Sequence, residues 1–139
     1  MRNIIYIIVI TVTIISCRKQ NGTPTTPGMG MVDNSSMLKY SGSFVNGPYG
    51  VVSGYTKVYL QNGHYVLKLQ GVTISNGPDL HVYLSKEVQP VNFMDLGRLQ
   101  SISGNQVYNI TGTPDFTEYK YVLIHCQRFN HLFGSAWIH

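Results

Sequence analysis

Carboxylates are scarce: six Asp and Glu in 139 residues, too few and too scattered for a paired acid–base site. Basic residues number ten, but no Lys/Arg run occurs outside the first twenty residues, so nothing supports nucleic-acid binding. A glycine-rich phosphate loop, His-Glu-x-x-His, Gly-x-Ser-x-Gly and Cys-x-x-Cys are all missing, which removes the common motif-bearing enzymes. No stretch keeps a helical period over a dozen residues, which argues against an α/β fold. Cysteine is nearly absent too, with Cys17 and Cys126 alone.

The amino terminus is the one long apolar run. Arg2 precedes apolar residues and threonines at positions 4–15, and Ile14-Ile15-Ser16-Cys17 follows. A dozen residues is too short to span a bilayer core, which needs about 20, and charge before the run with a small residue after it is the layout of a signal peptide. Residues 1–16 therefore read as a leader. Its last four residues with Cys17 resemble a bacterial lipobox, which implies cleavage before Cys17 and acyl chains on its sulfur and new amino group. Two or more chains hold firmly, at about 0.8 kcal/mol per buried methylene. The expected location is the bacterial cell envelope, outside the cytoplasm, with membrane lipid as the first partner. Loss of Arg2 leaves nine basic against six acidic residues, or +3, a mild preference for an anionic membrane surface.

Residues 17–37 are rich in Gly, Pro, Thr and Asn and read as a solvated tether. Met29, Met31 and Met37 are soft metal ligands in principle, but no histidine lies near them and a plain spacer is the simpler reading. The folded domain is expected over residues 38–139.

Within it, strand signals dominate. Asn62-Gly63 joins two alternating segments, residues 56–61 and 64–69, and Asn-Gly is the strongest short hairpin signal because both turn residues must accept positive φ. The implied register sets Gln61 against His64, Leu60 against Tyr65, Val58 against Leu67 and Lys57 against Lys68. Further strands are expected at residues 43–45, 51–55, 80–85, 106–110, 119–127 and 135–138, with short helical turns near residues 91–96 and 114–118. The fold class is all-β, an antiparallel sandwich or barrel-like domain.

If Cys17 carries lipid, Cys126 has no disulfide partner in its own chain; it is a free thiol, a metal ligand or half of an intermolecular bond. It shares a strand face with Val122 and Ile124, whereas His125 points with Tyr121 and Leu123. A buried cysteine behaves as a small inert hydrophobe. Against that, strand polarity breaks at Gln127, which sets Cys126 at a strand end near Arg128, whose charge would lower a thiol pKa. A blue-copper site needs two histidines, a cysteine and usually a methionine; Cys126, His131 and His81 or His64 match it in part, but no methionine follows Met94.

Three ordered blocks carry a family resemblance: Gly77-Pro-Asp-Leu-His-Val-Tyr-Leu-Ser85; Leu96-Gly-Arg-Leu-Gln-Ser101 with Gly104-Asn-Gln-Val-Tyr108; and Tyr121-Val-Leu-Ile-His-Cys-Gln-Arg-Phe-Asn-His-Leu-Phe-Gly-Ser-Ala136. Together they resemble the DM thirteen domain, found in bacterial lipoproteins and in extracellular animal proteins. The resemblance spans roughly residues 38–138 and implies a β-rich fold with a nearly invariant cysteine in redox or electron-transfer chemistry. That cysteine is Cys126 here. Relatives often carry tryptophan just before it, where this chain has His125, and their Leu-Pro segment after the tyrosine of the second block is replaced by Asn109-Ile-Thr-Gly112.

The reading is thus a lipid-anchored envelope protein whose β domain offers a single redox thiol, Cys126, with Arg128, His125 and His131 around it. It requires no cofactor, leaves copper or another redox metal open, and leaves the envelope partner unnamed. The alternatives are a non-catalytic binding or adhesion module with a packed cysteine, and a small copper-binding domain.

Overall fold

The structure, a computed structural model, describes residues 35–139. The expected leader, the expected lipidation at Cys17 and nearly all of the expected tether lie outside the described residues. Eight strands follow: β1 (Met37–Asn46), β2 (Val52–Gln61), β3 (His64–Ile74), β4 (Leu80–Ser85), β5 (Phe93–Arg98), β6 (Ser103–Ile110), β7 (Tyr121–Cys126) and β8 (His131–Trp137). They form one antiparallel sheet in the order β5-β4-β7-β8-β1-β2-β3-β6. Curling brings the edge strands β5 and β6 close to each other, so the domain is nearly closed and barrel-like.

The expected hairpin is present in register: Val58 pairs with Leu67, Leu60 with Tyr65, Gln61 with His64 and Lys57 with Lys68. Asn62 and Gly63 both take positive φ, 50° and 80°. The two short segments expected on either side of Tyr55 are one strand, β2, kinked by a register shift at Gly54 between Ser53 and Tyr55. Residues 91–96 do not form the expected helical turn. Most of them belong to β5, an edge strand laid along β4 in which Asp95 faces Tyr83 and Met94 faces Leu84. Local polarity hid this strand, whose alternation is broken by Gly97 and by a shift between Val82 and Tyr83. The turn expected near residues 114–118 does form, held by Asp115, which accepts from the backbone N–H groups of Thr117, Glu118 and Tyr119.

β1 serves two halves of the barrel. Its first part, Met37 to Ser43, pairs with β2, and Phe44 to Asn46 pair with β8. The chain makes this transfer at Gly42, where any Cβ would strike the carbonyl of Trp137.

The interior is filled by inward residues of both halves. Val58, Leu67, Leu69, Val72, Tyr108 and Ile110 come from β2, β3 and β6, and Val82, Leu84, Val122, Ile124, Cys126 and Ala136 come from β4, β7 and β8. Burial of this apolar surface, at about 25 cal/mol per Å², is the main force holding the barrel together. One pole is plugged by Phe116, which stacks on Tyr40 at 4.7 Å and meets Tyr65 edge-on at 4.9 Å. The chain enters β1 at this pole, and Cys126 lies towards the other.

Candidate functional site

Cys126 ends β7. Strand alternation sends Val122, Ile124 and Cys126 inward, so the sulfur sits in the main core with 0% exposure. It is a free thiol among the described residues. Its cross-strand partners are Leu80 on β4 and His131 on β8. The strand end is pinned by the Gln127 N–H, which donates to the Asp79 carbonyl at 2.9 Å, and Asn130 takes positive φ to close the turn into β8.

Leu80 has a second role. It lines a cleft of about 290 Å³ formed by Asn76, Pro78 and Asp79 on one side and Arg98, Gln100 and Ile102 on the other. Cys126 is not among the residues that line this cleft, although its cross-strand neighbour Leu80 is.

Arg128 is exposed in the turn and makes no ion pair among the described residues. Guanidinium and thiol thus occupy different environments, one solvated and one apolar. His131 stacks flat on Tyr49 at 3.7 Å with 2° between the rings, and Phe129 tilts against it at 5.8 Å.

The opposite face of β4 and β7 carries polar residues. His81 lies across from His125, and Tyr83 lies across from Leu123. The His81 Nδ1 contacts the Asp95 carboxylate at 2.9 Å, and its Nε2 approaches Asp79 at 3.5 Å. Arg98 donates to Asp79 and, with help from His81, holds that carboxyl below its ordinary value. Tyr83 stacks on Phe93 at 4.3 Å and on His125 at 5.2 Å. Burial and the charge of Asp95 push its phenol up.

His125 is the outlier. It is 3% exposed, and neither ring nitrogen makes a hydrogen bond of good geometry, although the Asn130 side chain lies close enough to favour the charged form. Desolvation pushes its pKa below the usual histidine value; the Asn130 side chain draws it back only in part, and His131 and His81 oppose the charged form further. It is a neutral ring held in an aromatic pocket.

The partial copper set does not converge. His81 and Cys126 point to opposite faces of the same sheet, and His64 lies at the far pole, beside the β2–β3 turn. Among the described residues no group of three or more His, Cys, Asp or Glu is placed to hold a metal ion.

Three residues around this region escaped the sequence reading. Asp95 and Phe93 were hidden with β5 itself. Tyr83 was readable in principle, because it alternates with His81 on a strand and both fall on the face of His125 once β4 is paired with β7.

No curated protein and no solved structure matches the chain. A family model described as "Electron transfer DM13" matches residues 43–138, which covers every strand from the middle of β1 to the end of β8 and includes Cys126. The chain belongs to the DM13 electron-transfer family.

Proposed function

We propose that this protein is a membrane-tethered electron-transfer module of a bacterial cell envelope, held by acyl chains on Cys17, with Cys126 as its redox atom. Family membership supports the electron-transfer class. The observation that carries the choice of atom is the placement of the free sulfur at the end of β7, cross-strand from Leu80, a residue that lines the cleft.

Burial narrows the chemistry. Thiol–disulfide exchange needs direct approach of one sulfur to another, and a sulfur with 0% exposure does not offer it. An electron crosses a short protein gap without the atoms meeting. In the one-electron step the sulfur gives an electron to a one-electron acceptor docked outside and loses its proton, which reaches solvent when the strand end opens, leaving a sulfur radical. The reverse step returns electron and proton and restores the thiol. Arg128, in solvent beyond the strand end, favours an acceptor with negative charge, and His125 lines the other face of the sheet as a neutral ring. The reading uses no metal.

Mixing the folded protein with a one-electron oxidant such as hexachloroiridate tests the role of the sulfur. A fast phase that disappears in Cys126→Ala is expected, and identical traces for the two proteins refute the reading. Exchange of Cys17 for Ser tests the anchor: the protein should leave the membrane fraction, and a variant that stays in the pellet sinks that part.

Full burial of Cys126 among aliphatic side chains also favours a second reading, a binding module in which the cysteine is packing. Exposed Tyr49, Phe129 and Trp137 would then be contact residues. Identical oxidation traces are the outcome this reading requires.

A further inference from the structure

The charges of the described domain are segregated. β1, β2, β3 and β6 contain three lysines, Lys39, Lys57 and Lys68, and no aspartate or glutamate. All five carboxylic residues of the described region, Asp79, Glu87, Asp95, Asp115 and Glu118, lie elsewhere. Lys57 and Lys68 face each other across the β2–β3 ladder, and none of the three lysines has an ion-pair partner among the described residues. Like charges directly opposite on a sheet are unfavourable, so this face is a place where an external anion lowers the energy.

The same face carries the amphipathic residues of an interfacial surface. Exposed Leu38 pairs with half-buried Tyr59 in a row beside Lys57 and Lys68, while Tyr55 adds an exposed ring one row further on. Tyrosine at a lipid–water boundary keeps its ring among the headgroups and its hydroxyl wet. With a leader removed before Cys17, 18 residues (17–34) lead from the proposed anchor to the described region, and the chain enters β1 at the edge of this face, with Met37 and Leu38 both exposed.

We infer that the outward face of β1, β2, β3 and β6 lies flat on the anionic headgroups of the membrane that holds the protein. The inference rests on the lipid anchor proposed at Cys17 and adds an orientation to it. The pole where the chain enters is a poorer match, because Asp115 and Glu118 flank its Phe116 plug. With the lysine face down, the half of the barrel that contains β4, β7 and Cys126 turns towards the soluble envelope, together with Asp79, Glu87 and Asp95 in and around β4 and β5. A lysine next to such a surface contributes roughly five-fold in affinity, and salt screens that contribution within about 8 Å at physiological ionic strength.

Amine acetylation read lysine by lysine tests the orientation. The acylated full-length protein is reconstituted into vesicles of phosphatidylcholine, alone or mixed with phosphatidylglycerol, and floated before labelling. In the anionic vesicles Lys57 and Lys68 should react roughly five-fold more slowly or less, with protection lost at high salt, while exposed Lys120 reacts equally in both. In the Lys57→Gln, Lys68→Gln variant, Lys39 should lose its protection. Flotation with equal labelling of Lys57, Lys68 and Lys120 in both vesicles overturns the inference and leaves the face to a soluble acidic partner. Equal protection in both vesicle types also overturns it, since headgroup charge then plays no part. Failure to float with either vesicle overturns the anchor itself, and this inference with it.

Discussion

Leu80 and Cys126 face each other across the β4–β7 ladder, and the leucine also lines the cleft beside Asp79 and Arg98. Leu80 is therefore the cleft residue whose truncation tests this route to the thiol. Replacing Leu80 with Ala should raise the labelling rate of Cys126 by a small-molecule thiol reagent at least about ten-fold under native conditions, while costing about 2–5 kcal/mol of stability, the usual range for such a truncation. Rates should be compared at equal distance from each protein's unfolding midpoint, so that global opening does not mimic local access. Unchanged labelling in Leu80→Ala would show that the sulfur is reached by another route.

His125 makes the second prediction. A buried imidazole whose nitrogens lack well-formed hydrogen bonds, with Asn130 alone nearby to compensate in part, forgoes up to about 1–3 kcal/mol per unsatisfied group. Exchange for Phe keeps the stack on Tyr83 and removes both orphans, so it should raise the melting temperature by several degrees, given about 4–8 °C per kcal/mol for a domain of this size. A lower melting temperature would mean that the nitrogens are satisfied in solution.

The same residue sets a pH dependence. Its folded pKa lies below the ordinary value of 6.5, so between the two values the unfolded chain binds the extra proton. Stability is then full above about 6.5 and falls as pH drops towards the lowered folded value. Asp79, Glu87 and Asp115, all held below their ordinary values by hydrogen bonds, add a separate loss at more acidic pH. Denaturant midpoints measured between pH 7.5 and pH 5, a window chosen from about 6.5, should decline in the native protein and stay nearly flat in His125→Phe. Parallel curves would assign the decline to another group.

These expectations depend on features of unequal legibility. The Asn62-Gly63 hairpin and its register could be read because the signal is local: two residues that tolerate positive φ between strands of matching alternation. The parity of Cys126 and His125 followed from the same period-two rule, and the structure places them on opposite faces. Depth was not readable in this way. Arg128 follows Cys126 by two residues, which looks like proximity, but the turn at residues 127–130 carries the guanidinium into solvent while the sulfur stays inside. The His81–Asp95 contact depends on β5, an edge strand with broken alternation, and the pairing of β4 with β7 spans almost forty residues of chain that no local pattern reports. Family resemblance could mark Cys126 across that gap because it does not depend on distance along the chain.

β1 supplies the last prediction, because the barrel depends on its passing from one partner strand to another. At the transfer point Gly42 sits against the backbone carbonyl of Trp137, and the Ser41 and His139 backbones exchange hydrogen bonds at 3.1 Å in both directions just beside it. An added methyl group cannot be relieved by a rotamer change, since the obstacle is main chain. It must push β8 away or tear the β1 ladder, and overpacking of this kind costs about 1–3 kcal/mol or more. Gly42→Ala should therefore lower the unfolding free energy measured in urea by that amount, whereas Ser43→Ala, one residue on and exposed, should leave it within about 0.5 kcal/mol of the native protein. Hydrogen exchange should place the damage: amides of β8 near Trp137 lose protection first, while the turn end of the β2–β3 hairpin around Asn62 and Gly63, away from the Gly42–Thr56 pairing, keeps its own. If Gly42→Ala proves as stable as Ser43→Ala, the close passage of β1 over β8 is wrong, and with it the route by which one strand ties the lysine face to the half of the barrel that holds Cys126.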